Sequence, residues 1–122
     1  MGQKKPDITA EQDAILERAL APVRARFIEA IEGHILSFEA LRREARNGHS
    51  AKESLKEIGQ LAHKIAGIAG SVGYEEIGEA ASTVERRVWE CEASELDDGD
   101  RLASVDDVLE PLLELLEMKL DD

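Results

Sequence analysis

The chain has 122 residues, 43% of them hydrophobic, which is enough for one core and not two. A net charge of −12 argues against a nucleic-acid partner, and no apolar run approaches the roughly 18 to 20 residues of a membrane span. One cysteine, Cys91, cannot form an internal disulfide, and the polar stretch from Met1 to Ala10 has no signal core, so the expected setting is reduced and cytoplasmic.

Aromatic residues make up only 3%, and Ala, Leu, Ile and Val recur at three- and four-residue intervals, the composition of helices packed on helices. Residues 1–7 are expected to be a disordered tail. Thr9-Ala10-Glu11-Gln12 reads as a capping box, with Ile8 as the hydrophobic staple, opening a short first helix. Pro22 is expected to end that helix near Ala21 and to start the next. The second helix runs to about Arg46, with Phe27, Ile31, Phe38 and Leu41 on one face and Asn47-Gly48 as its stop.

Ser50-Ala51-Lys52-Glu53 reads as another capping box. From it Leu55, Ile58, Ala62, Ile65, Ala69 and Val72 form the apolar stripe of a third helix. A turn at Gly73-Tyr74 leads to a fourth helix, about 75–93, with Ile77, Ala81, Val84, Val88 and Cys91 on one face. An acidic loop from Glu95 to Asp100 precedes a last helix of about 101–119, which buries Leu102, Val105, Leu109, Leu112 and Leu116 and which Pro111 is expected to kink or split. Short connections favour antiparallel neighbours, so the predicted fold is an all-α antiparallel four-helix bundle, residues 8–122, with a short extra N-terminal helix across one end.

Charge is unevenly spread. Residues 1–74 carry 11 Lys/Arg against 10 Asp/Glu, a net +1, whereas residues 75–122 carry 4 against 17, a net −13. Chemistry on anions is therefore expected in the first part. On the third helix, at 100° per residue, His63 points about 135° from the apolar stripe, into solvent. Lys56, Gln60 and Gly67 share that bearing, with Gly59 and Gly70 at its shoulder. Each helical glycine costs about 1 kcal/mol relative to Ala, and one at Gly67 leaves the surface beside the imidazole uncovered. Taken alone, an exposed helical histidine is ordinary surface, and helical glycines can simply permit close packing.

The stretch from Leu61 to Gly73, LAHKIAGIAGSVG, followed by Ile77 and by Val84-Glu85, resembles the signature of histidine phosphotransfer (HPt) domains. The resemblance implies a helical bundle whose exposed histidine, here His63, accepts a phosphoryl group from an aspartyl phosphate on a response-regulator receiver domain and passes it to another receiver in a two-component phosphorelay. A hybrid histidine kinase is one expected source of such a receiver. It makes Gly67 the clearance residue and puts Mg²⁺ on the receiver, so that this chain needs no cofactor and no metal. The family often has lysine three positions after the histidine, where this chain has Ala66, and Lys64 is the nearest substitute. Lys56, Gln60 and Gly70 complete the expected docking face.

Other residues carry less. His34 falls within about 40° of an apolar face and reads as a boundary residue. His49 reads as a solvated turn residue, and no histidine pair has metal-site spacing. Trp89 lies one position off the apolar stripe, where bland packing or an interface would both fit. A sensor kinase's dimerising histidine domain would want an acidic residue after the histidine, but Lys64 stands there, and no ATP-binding domain is present. The chain is thus expected to be a phosphocarrier, not an enzyme, and a monomer; the alternative is a helical adaptor that docks on receivers without taking phosphate.

Overall fold

Four segments whose apolar residues recur at three and four positions can each bury one stripe only against the others, and that requirement sets the architecture. The computed structural model describes the backbone of residues 6–48 and 50–122, and side chains from Thr9 onward except at residue 49. The protein is all-helical, with four helices and no strand among the described residues: α1 (Pro6–Arg46), α2 (Ala51–Ser71), α3 (Glu75–Glu92) and α4 (Asp98–Leu120). Helices adjacent in sequence pack together and α4 closes on α1, so that α1 and α3 lie across the core from one another. Phe27, Ile31 and Phe38 of α1, Ile58, Ala62 and Ile65 of α2, Ala81 and Val84 of α3, and Leu109, Leu112 and Leu116 of α4 are buried together. The α2, α3 and α4 stripes are the expected ones, with Leu102 only partly buried.

The helix ends differ from expectation. No break occurs at Ala21: α1 continues through Pro22, and among the described residues no separate short helix lies across the bundle. Pro22 is exposed, as is Arg18, whose carbonyl loses its helical partner, so water can satisfy that oxygen. Glu17 and Arg24 pair across the proline turn and hold it in line. Pro111 is accommodated likewise, exposed inside a continuous α4 with the orphaned carbonyl on exposed Asp107. Thr9 lies within α1 and opens no helix, while the expected staple Ile8 has a side chain outside the described residues. Of the expected tail, residues 1–5 lie outside the described residues, and Pro6 and Asp7 belong to α1. The His49 turn position is outside them too.

Ser50 makes no capping box. It adopts a left-handed conformation (φ 53°, ψ 41°), and its side chain caps nothing. The tight reversal after Gly48, itself at φ 76°, takes precedence over the cap. The acidic segment supplies a side-chain cap, Asp97, which accepts from the Asp100 amide at 2.8 Å; residues 98–100 are therefore helix, not loop. Gly73, at φ 90°, makes the expected turn between α2 and α3.

Candidate functional site

α2 turns its buried stripe to the core, and the same helical arithmetic puts His63 outside: its side chain is 73% exposed. The ring nevertheless has a close partner. Its Nδ1 lies 2.7 Å from Oε2 of Glu85 on α3. A carboxylate beside Nδ1 favours the tautomer that carries its proton there, which leaves the Nε2 lone pair available when the ring is neutral.

Glu85 reaches the ring because α2 and α3 pack closely. A Cβ on Gly59 would stand 3.0 Å from Cγ1 of Val88, and one on Gly78 would stand 3.4 Å from the Gly70 nitrogen. These glycines allow the two helices to approach with no side chain between them. Gly59 is thus a buried packing residue and not part of the exposed shoulder. The result is an open groove of about 340 Å³, floored by Gly59 and Val88, with Lys56, Gln60 and His63 on one wall and Glu85, Trp89 and Glu92 on the other.

The expected face divides. Lys56 and Gln60 join His63 at the groove. Gly67 is exposed one turn along, and a Cβ there would meet nothing within 4 Å, so the approach to the ring from that side is open. Gly70 lies instead in a neighbouring hollow with Ala66 and Gly78. Lys64 is exposed but does not line the groove; its charge acts on His34, whose pKa is lowered chiefly by burial and then by Lys64. The cation that lines the groove is Lys56. His34 itself is half-buried, its ring 6.4 Å from that of Phe27, as a boundary residue should be.

Two groove residues have roles that the sequence did not single out. Glu85 was visible only as the acidic end of the Val84-Glu85 pair, and the register that brings it to His63 lies between helices. Trp89, one position off the apolar stripe of α3, is 76% exposed, so its indole is not packing in the core. Cys91 is buried as expected.

Comparison of the chain with protein families matches the Hpt domain over residues 22–119, a span that includes α2, α3 and all of the groove. No curated protein and no solved structure gives a significant match. Since the match covers most of the chain and the groove holds an exposed histidine where the motif stands, the protein belongs to the Hpt domain family, whose members serve histidine phosphotransfer in phosphorelays with receiver domains as partners.

Proposed function

We propose that His63 is the phosphoacceptor of a phosphorelay intermediate, taking a phosphoryl group from an aspartyl phosphate of one receiver domain and giving it to the aspartate of another. The observation that carries this reading is an imidazole 73% exposed, with the Glu85 carboxylate 2.7 Å from its Nδ1 and open surface at Gly67 one turn along. The Nε2 lone pair attacks phosphorus; the N–P bond forms as the P–O bond to the aspartyl oxygen breaks, and that electron pair leaves on the receiver's carboxylate. The ring gains positive charge in this step, and the Glu85 carboxylate beside Nδ1 offsets it. In the onward step the second receiver's carboxylate attacks phosphorus and the N–P bond breaks, returning the pair to Nε2.

Lys56 is the lysine placed to meet the transferred phosphoryl oxygens, and Gly67 leaves room for the receiver's loops. Metal chemistry belongs to the receiver, and the chain acts as a carrier with no nucleotide site of its own. Short connections between packed helices support antiparallel neighbours, and the single core supports one domain over residues 8–122. No described helix is long and apolar enough to cross a membrane, which accords with work beside cytoplasmic receivers.

The test is transfer of label from a phosphorylated receiver. Acid-labile, alkali-stable label on the chain that disappears in His63→Gln is the expected result. Label that persists in that variant, or binding without label from every receiver of the source organism, would favour the adaptor reading instead.

A further inference from the structure

Three approaches fix the register of α2 on α3. A Cβ on Gly78 would stand 3.4 Å from the Gly70 nitrogen, the His63 ring has the Glu85 carboxylate 2.7 Å away, and a Cβ on Gly59 would stand 3.0 Å from the Val88 side chain. Residues 70, 63 and 59 of α2 thus meet residues 78, 85 and 88 of α3. The position one turn before His63 is therefore level with the position one turn after Glu85. Those positions are Gly59, which has no side chain, and Trp89, which has the largest. Between them the groove is a slot, floored by Gly59 and Val88 and walled by the indole.

Trp89 is 76% exposed, and among the described residues no ring and no cation stacks on it. Scattered apolar side chains are ordinary on a surface, and Leu36 and Met118 are examples. Trp89 differs by its place. A helical side chain lies over the turn N-terminal to its own Cα, so the indole leans toward Glu85 and the His63 ring, on the groove they share. A folded domain of ~100 residues has a radius of gyration of ~13 Å, against ~5.4 Å for one helical turn. A receiver domain that seats itself on His63 therefore covers the indole as well.

Surface and charge select what enters the slot. Val88 and the indole are apolar, Lys56 and Glu92 carry opposite signs on facing walls, and the Glu85 carboxylate is engaged with His63. A charged side chain would lose hydration there and find Lys56 and Glu92 offsetting one another, whereas an aliphatic one gains by covering the indole.

We propose that Trp89 sets receiver affinity: the slot between its indole and Gly59 takes an apolar side chain of the receiver, beside the aspartate that exchanges phosphate with His63. Only that last clause rests on His63 as the phosphoacceptor. Docking at Trp89 stands without it.

The test titrates receiver domains of the source organism into the full chain by calorimetry, and follows transfer from those that bind at varied receiver concentration. Trp89→Ala should weaken binding by about thirtyfold or more, the loss of an aromatic hot spot, and raise KM for transfer in step while kcat moves far less. Trp89→Phe and Trp89→Leu, which keep apolar surface, should recover most of the affinity. Position 89 is exposed, so each variant should melt cooperatively near the temperature of the unaltered chain, which shows that the bundle is intact. Equal affinity in the unaltered chain and Trp89→Ala, or a loss that falls on kcat alone, overturns the proposal. A phenylalanine variant that binds beside a leucine variant no better than alanine overturns the apolar occupant in favour of a cation stacked on the ring. Failure of the phosphoacceptor reading looks different: binding that still depends on Trp89, with no label on the chain, removes phosphotransfer and supports the docking contact, while binding by no receiver removes both.

Discussion

Glu85 sets its carboxylate 2.7 Å from Nδ1 of the His63 ring, and a group in that position can act in two ways. It favours the tautomer with its proton on Nδ1, and it offsets the ring's positive charge by its own. Glutamine at position 85 keeps an acceptor oxygen and loses the charge; alanine loses both. Rapid-quench measurement of label uptake from a phosphorylated receiver should rank the unaltered chain first, Glu85→Gln second and Glu85→Ala last, the last slowed by about tenfold or more. Equal rates in all three would show that the contact is incidental. The lysines make a parallel case. Lys56→Gln should slow uptake while Lys64→Gln leaves it nearly unchanged, because only Lys56 lines the groove; the opposite order would refute that division. Exposure of His63 was legible in the sequence because it depends on one helix and its 100° step. The partnership with Glu85 was not, because it depends on how far α3 slides along α2, which no single-helix periodicity records.

At the scale of the elements, the two glycines of α2 nearest the histidine do opposite work, and a mutation pair separates them. Gly67 faces open space, so Gly67→Leu should leave thermal stability near or slightly above that of the unaltered chain, since leucine favours helix by up to about 1 kcal/mol over glycine. Transfer should slow, because the new side chain stands where a receiver approaches. The emission of Trp89, the chain's single tryptophan, allows receiver binding to be followed separately from label uptake. Unchanged binding and unchanged transfer would sink the clearance argument. Gly59→Leu should instead cost stability, by about 1–3 kcal/mol of overpacking, because a Cβ there already meets Val88 at 3.0 Å. A melting temperature equal to that of the unaltered chain would show that α2 and α3 separate freely. Spacing alone put both glycines on or beside one exposed face, since a 3.6-residue period ranks positions by bearing and carries no information about which neighbour arrives there. Helix ends differ from the local signals for a related reason. The signals at Thr9, Pro22 and Ser50 are local, and each was overridden, by a solvated proline turn in α1 and by the reversal after Gly48.

For the whole molecule, the apolar stripes are legible in the sequence because burial needs only composition and period, whereas the continuity of α1 past the level where the other helices stop depends on the assembled bundle. The same assembled core sets a pH dependence through His34. Burial beside Phe27 and the nearby charge of Lys64 both disfavour its protonated form and hold its pKa below the ordinary imidazole value. The unfolded chain therefore binds this proton more readily than the folded one, and protonation pulls the equilibrium toward unfolding. The stability linked to His34 is complete above the unfolded imidazole range and falls as pH drops through it toward the folded value. Melting temperature should thus decline between about pH 8 and about pH 5.5, a range in which ordinary carboxylates stay ionised. In His34→Leu the decline should be shallower, because leucine suits the half-buried site and takes no proton; any contribution from His49 and His63 is common to both proteins and cancels in the difference. Lys64→Gln, which removes the charge and leaves the burial, should give an intermediate slope. Identical slopes for the unaltered chain and His34→Leu would mean that the folded bundle protonates this imidazole as readily as the unfolded chain does, and that its burial is lost as the proton arrives.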